Sequence, residues 1–393
     1  MRRRHLVIVL TVIILLFGPP SYERWRIRSS IANLKHEDAA VREMAAARLA
    51  DIGPQDEDVI AALVDVLVDE KFTSATVARA LEKIGPSAIP TLLEVLEDED
   101  ARRRYWGSKP EFVVSRTPRL FGVLAGVGRP ALPSLIKLLN DEDRKVRGIA
   151  ADTLELMGPL AEDAIPALME AANNEEERRL RSKEVNKPLD TLIKIGRPAV
   201  PALIASMKDS DPDVQSQAVD ALNLIGPKAE EAVPALIDAL KLHARKQRGA
   251  SFIVSSDAGS ALASIGEPAV PALIETLKDE HVLVRFEAAS ALGTMYRRRM
   301  LGETRTRVIG PAAKQAVAAL IDALKDDSSV PKEYLGLVPQ HAAKALGQIG
   351  PDATDAVPAL IEATKDENEF VRQQAAEALK KIDLEAAAKG GAK

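Results

Sequence analysis

Nine times along this chain a helix-forming stretch ends in Leu-x-x-Ile-Gly or a close variant, and a proline follows at once or one residue later. The glycines are Gly53, Gly85, Gly128, Gly158, Gly196, Gly226, Gly266, Gly310 and Gly350. Glycine just past a helix supplies the left-handed conformation that ends it, and proline then blocks continuation. Each Gly/Pro pair therefore predicts a tight turn between two antiparallel helices. A chain of 393 residues exceeds the roughly 250–300 residues at which one hydrophobic core stops growing. Here growth by repetition takes the place of a single core. Aromatics make up 3% of the residues, which favours close-packed helices over sheets.

The helix after each turn, B, opens on Ala-Val-Pro-Ala-Leu-Ile. Val200-Pro201-Ala202-Leu203-Ile204, Val233-Pro234-Ala235-Leu236-Ile237, Val270-Pro271-Ala272-Leu273-Ile274 and Val357-Pro358-Ala359-Leu360-Ile361 are copies. Proline in the first turn removes an N–H that has no helical partner anyway. The helix before each turn, A, reads Asp-x-x-Val-Arg-x-x-Ala-Ala-x-Ala-Leu-x-x-Ile-Gly. Val41, Ala45, Leu49 and Ile52 in the first copy fall on one helical face. Alanines at the contact let neighbouring helices approach closely.

This pattern resembles the HEAT-repeat family, particularly the short HEAT-like repeats of phycobilin lyases, over Ala39 to about Ile382. The resemblance implies an all-α fold: an α-solenoid, a right-handed superhelix of antiparallel helix pairs, with A helices convex and B helices concave. It also implies a ladder between repeats made by the Asp and Arg of helix A. The matching residues are Arg42, Arg147, Arg285 and Arg372, with Asp143, Asp279 and Asp366 upstream. Gln215 replaces the arginine in one copy and should weaken the ladder there.

Turn glycines are spaced by 32, 43, 30, 38, 30, 40, 44 and 40 residues. Links from helix B to the next helix A alternate between short acidic ones, such as Asp209-Ser210-Asp211, and long ones. The array thus looks built from two-repeat modules. Most enlargements are basic. Arg102 to Arg119 holds six basic side chains against Glu111 alone, although the whole chain is net -5. Arg178–Lys187, Lys241–Arg248 and Arg297–Arg307 are similarly basic. Arg102, Arg103, Arg104, Trp106, Arg245, Lys246, Arg248, Arg297, Arg298 and Arg299 are therefore candidate contacts for an anionic polymer or lipid, or for an acidic protein. The competing reading is loop charge solvated by water and paired with acidic neighbours. On the B helices, Asp238, Glu275, Asp322 and Glu362 follow the Leu-Ile pair at matching positions, which predicts an acidic row facing a basic partner.

Ahead of the array, residues 1–20 read as a signal-anchor or signal peptide. Arg2-Arg3-Arg4-His5 precedes an apolar run from Leu6 to Phe17, and Gly18-Pro19-Pro20 ends it. On this reading the protein is membrane-anchored or exported to the periplasmic or extracellular side, with its N-terminus in the cytoplasm. A linker over 21–36, the array over 37–384 and a flexible tail over 385–393 complete the division. The array comprises about nine pairs and a last lone A helix, which is expected to cap it.

Nothing in the sequence spells out chemistry. Cysteine is absent, which excludes disulfides, thiol catalysis and thiolate metal sites. None of the five histidines forms His-Glu-x-x-His, and His36-Glu37 is the only His-Glu pair. The HEAT-like deoxyhypusine hydroxylase holds iron through several such pairs, so this chain departs from it. No phosphate-binding glycine loop occurs, and the acidic balance argues against nucleic acid. No catalytic residue, metal or cofactor is expected. The sequence-level expectation is a non-enzymatic scaffold that binds a protein partner along its concave face or basic loops. The alternative is a lyase-like or accessory enzyme subunit with a pocket between repeats.

Overall fold

The computed structural model describes residues 22–52, 56–68, 75–97, 120–142, 144–174, 187–246, 257–300, 311–326 and 334–383. Among these residues the chain is helical throughout, with no strand. It divides into two compact units, Met1–Ile195 and Gly196–Lys393.

The first unit contains α1 (residues 22–33), α2 (Ala39–Ile52), α3 (Glu57–Val68), α4 (Ala75–Ile84), α5 (Ile89–Glu97), α6 (residues 120–127), α7 (Leu132–Leu138), α8 (Arg144–Met157), α9 (Ile165–Ala172) and α10 (Lys187–Ile195). The A helices α2 and α4 pack side by side, as do α8 and α10, and the B helix α3 packs on α5. The second unit contains α11 (Val200–Ser206), α12 (Pro212–Ile225), α13 (Val233–Lys246), α14 (Asp257–Ile265), α15 (Val270–Thr276), α16 (Val282–Met300), α17 (Pro311–Ala323), α18 (Leu337–Ile349), α19 (Val357–Ala363) and α20 (Glu369–Ile382). Its A helices form one layer in the order α12, α14, α16, α18, α20, and its B helices α13, α15 and α17 form a second.

The same two leucines anchor repeat after repeat. Leu49, Leu81, Leu154 and Leu222 of the A helices and Leu63, Leu92, Leu168 and Leu236 of the B helices are all at 0% exposure. Each contributes about 1.5–3 kcal/mol by leaving water. Small residues set the spacing of the A layer. A Cβ on Gly347 of α18 would come within 2.9 Å of the Ala378 Cα on α20. The last helix buries Val371, Ala375, Ala378, Leu379 and Ile382 and leaves Gln373, Glu377, Lys380 and Lys381 exposed. Phe370, at its start, is 61% exposed.

The seven turn glycines among the described residues do take positive φ, from 54° at Gly158 to 82° at Gly266. Their ψ values are not left-handed helical. Gly196 sits at φ 77°, ψ -127° and Gly350 at φ 77°, ψ -143°, an extended region open essentially to glycine alone. The chain thereby swings straight into a 3₁₀ turn, such as Arg197–Ala199, that leads into helix B.

Several expectations need correction. The segment read as a linker is helical over residues 22–33, where Tyr22 stacks on Trp25 with ring centroids 6.1 Å apart. The basic stretches expected as insertions are partly helix. Lys241 to Lys246 complete α13, and Arg297, Arg298 and Arg299 lie in the last turns of α16, because charged side chains without Gly or Pro do not break a helix. Placement at a membrane or on its outer side, with the N-terminus in the cytoplasm, is not upheld. No helix among the described residues is long and apolar enough to cross a membrane. The run from Leu6 to Phe17 lies outside the described residues.

Candidate partner-binding surface

Arg285 makes one rung of the expected ladder, since its Nε and Nη2 grip Asp326, which stands in the next repeat where Asp279 stands in its own. Each of the four arginines also reaches back to the link just before its own helix. Arg42 Nη1 donates to the carbonyls of His36 and Glu37, at 2.7 and 2.8 Å. Arg147 reaches Asp141 and Glu142, Arg285 reaches Asp279 and Glu280, and Arg372 reaches Asp366 and Glu367, all at 2.7–3.1 Å. These carbonyls follow the end of helix B and have no helical donor, so the guanidinium fork satisfies two at once. Gln215 supplies one such bond, from Nε2 to the Asp209 carbonyl at 2.6 Å. The acidic residues of the links are caps. Asp209 accepts from Asp211 N–H, Asp211 from Asp213 N–H, and Asp366 from Asn368 N–H. Asp143 lies outside the described residues.

Asp279 does more. It accepts the His281 N–H at 3.0 Å and faces Arg245 at 3.3 Å and Lys241 at 3.5 Å, both from α13. Burial alone would raise this carboxyl, but the His281 N–H and the two cations outweigh burial and hold it below its ordinary value. Arg245 is thus committed to an internal contact. Nearby, the His243 ring lies 3.9 Å from the carboxylate of Glu287, which is 1% exposed.

Asp238, Glu275, Asp322 and Glu362 are all exposed on their B helices. Their row is not purely acidic. Lys241, Lys278, Lys325 and Lys365 stand three residues after them. Glu275 pairs with Lys278 at 3.1 Å and Glu362 with Lys365 at 3.0 Å. The B-helix face in the second unit is therefore a mixed ionic surface. The Leu-Ile-Asp/Glu-x-x-Lys spacing in the sequence is the signal of this mixed face.

Two grooves open on this face. One, of about 550 Å³, lies between α11 and α13 and is floored by Ile204, Met207, Ala235, Ala239 and Leu242. Lys208, Asp238 and Lys246 rim it, and Glu231, also on its wall, is held by Arg197 at 2.8 Å. The other, of about 520 Å³, lies between α15 and α17 over Ile274, Leu277, Ala319 and Ala323, with Lys278, Glu280 and Asp322 at its edge. Of the remaining sequence candidates, Arg102, Arg103, Arg104, Trp106 and Arg248 lie outside the described residues, as do the side chains of Arg297, Arg298 and Arg299. Among the described residues no group of three or more His, Asp or Glu side chains is placed to hold a metal.

No curated protein matches the chain. Among solved structures it is similar to an engineered protein, at 23% identity over 91% of this chain and 98% of that one, with a TM-score of 0.28. It is also similar to the karyopherin Kap121p bound to the extreme C-terminus of the protein phosphatase Cdc14p. That match has 14% identity over 96% of this chain and 48% of that one, with a TM-score of 0.37. The family model for HEAT repeats matches residues 27–107, 120–185, 189–253 and 317–389. With that match over most of its length, and with helix pairs closed by the same glycine turns and the same buried leucines, the chain belongs to the HEAT-repeat family.

Proposed function

We propose that the protein is a non-enzymatic scaffold that binds a protein partner on the B-helix face of its second unit. One observation carries this reading. The A helices meet their neighbours through small side chains, whereas the B helices leave two apolar-floored grooves open, with Leu242 at 56% exposure inside one of them. Repeats that bury their cores between neighbours leave such faces available to partners. Large exposed apolar side chains rimmed by charge are where partners dock. The basic stretches of the sequence would supply secondary contacts.

The test is cross-linking with a lysine-reactive reagent in a lysate of the source cells, followed by mapping of the linked residues on the full chain. Partner links should concentrate on Lys208, Lys246, Lys278 and Lys325 of the B side. Links confined to A-helix lysines such as Lys83 and Lys344 would refute the assignment.

A further inference from the structure

The two grooves are the same groove built twice. Aligning α11–α13 with α15–α17 places Ile204 on Ile274, Met207 on Leu277 and Lys208 on Lys278. On the facing helix, Ala235, Asp238 and Ala239 match Ala319, Asp322 and Ala323. Each site thus has an apolar floor, a pair of alanines that leave room above it, a lysine on one lip and an aspartate on the other. Both volumes fall within the roughly 300–1,000 Å³ typical of ligand sites.

The two copies differ in charge. In the α11/α13 groove Glu231 is neutralised by Arg197, while exposed Lys208 and Lys246 have no ion-pair partner among the described residues. Leu242 widens its apolar floor. In the α15/α17 groove Asp326 stands where Leu242 stands in the first, and Arg285 binds it at 2.5 Å. Lys278 pairs with Glu275, which leaves exposed Glu280 and Asp322 without an ion-pair partner among the described residues. Asp238 is likewise without an ion-pair partner among the described residues, so the first site carries two unpaired cations against one carboxylate beside an apolar floor, and the second two unpaired carboxylates.

We infer that the grooves are paired subsites for one extended peptide segment of the partner, which sets one apolar side chain in each. The anchor in the α11/α13 groove is flanked by a carboxylate and the anchor in the α15/α17 groove by a lysine or arginine. Opposite charges at the two sites fix the direction in which the segment lies, and the lysine and aspartate lips serve its backbone carbonyls and N–H groups. The inference rests on the B-face reading above and adds the chemistry of what that face takes.

The test uses fluorescence anisotropy on the full chain with three synthetic probes. One is a ten-residue peptide with Leu flanked by Glu. Another has Leu flanked by Lys, and the third joins the two through a Gly/Ser linker. The joined peptide should bind about tenfold or more tighter than the better half. Lys246→Glu should weaken the acidic half and spare the basic one, and Asp322→Lys should do the reverse. Both substitutions are at exposed positions, and circular dichroism confirms that the helices persist. The inference is overturned if no probe binds, if joining gives no gain, or if either variant weakens both halves equally. If partner cross-links still map to the B lysines while these probes fail, the scaffold reading stands and the paired-subsite inference alone falls.

Discussion

Replacing Arg285 with alanine should open the link between α15 and α16 more than any other single exposed-face change. The side chain is 11% exposed and ties three groups together. Nη1 donates to the Asp279 carbonyl at 2.8 Å and the Glu280 carbonyl at 3.0 Å, while Nε and Nη2 grip Asp326 at 2.5 and 3.2 Å. Hydrogen bonds to charged groups contribute about 1.5–3 kcal/mol each, less where one partner reaches water. Glu280 lies at the surface, so the sum expected for Arg285→Ala is about 3 kcal/mol of local stability. At about 1.4 kcal/mol per decade, this raises local opening by roughly two orders of magnitude. Hydrogen exchange read by mass spectrometry on peptides covering residues 279–292 of the full chain measures it directly. Arg285→Gln should fall between, with about a tenfold increase, because glutamine can hold one carbonyl as Gln215 holds that of Asp209. Asp326→Asn breaks only the tie to the end of α17 and should cost less than Arg285→Ala. If Arg285→Ala exchanges like the parent chain, or Arg285→Gln is as severe as Arg285→Ala, the backbone-clamp account is wrong.

Three further outcomes follow from the packing. Truncation before Asp366 removes α20, which buries Val371, Leu379 and Ile382, so it should cost roughly 5 kcal/mol and promote self-association in sedimentation. Truncation before Glu385 should leave both melting and sedimentation unchanged, and equal behaviour of the two truncations would remove the capping role. Gly347→Val should lower the melting temperature sharply, since its Cβ would lie 2.9 Å from the Ala378 backbone and α18 and α20 would have to part. An unchanged melting temperature would contradict that contact. His341 packs edge-on against Phe286, with ring centroids 4.6 Å apart. Burial pushes its pKa below the usual histidine value, with Lys344 adding to the effect and the Leu337 carbonyl opposing it. The unfolded chain therefore takes up a proton below about pH 6.5 that the folded chain resists, and stability falls as pH drops, by at most about 1.4 kcal/mol per pH unit from this group. Urea unfolding at pH 7.5 and 5.5 should show a smaller difference for His341→Gln than for the parent, and an equal difference would refute the assignment.

The repeat was legible because its signals are backbone-level. Glycine at a positive φ, proline after it and a leucine at a fixed distance before it are fixed by sterics and burial within one helix pair. Side-chain roles that depend on a neighbouring element were not legible. The arginines of helix A have a partner set, two carbonyls of the preceding link, that no sequence pattern names. Lys241 and Arg245 looked like loop charge because they are basic and follow a helix B. The structure continues that helix, and both converge on Asp279 from the next repeat's link. The acidic row was found by position, but its lysine partners were missed because each residue was weighed alone and not at helical spacing. The grooves were not readable at all, since they depend on how far one B helix stands from the next.

Helix lengths account for where the two grooves open. Repeats whose turn reads Gly-x-Pro have a 3₁₀ turn of three residues, as in Arg197–Ala199 and Glu267–Ala269. Their A helices, α10 and α14, have nine residues, and their B helices, α11 and α15, have seven. The repeat that follows reads Gly-Pro directly. In the one after α12 the turn lengthens to Gly226–Ala232, its A helix has 14 residues and so does its B helix, α13. In this repeat the 3₁₀ segment runs four residues longer before helix B starts, with Ala229 at φ -93°, ψ 24° marking the kink inside it. The longer B helix then projects past its shorter neighbour. A seven-residue helix cannot cover the side of a 14-residue one, and the uncovered side carries Asp238, Ala239 and Leu242 of α13. The 13-residue α17 stands in the same relation to α15 and carries Asp322 and Ala323. The turn does not by itself set the length of helix B, because Gly158-Pro159 and Gly350-Pro351 also open seven-residue turns and lead into B helices of eight and seven residues. Breaking the projecting turns of α13 with Leu242→Pro should remove its uncovered side and open out the α11/α13 groove. Loss of binding by the acidic probe, with binding of the basic probe intact, would show that the length of α13 sets the groove; retention of both would refute it.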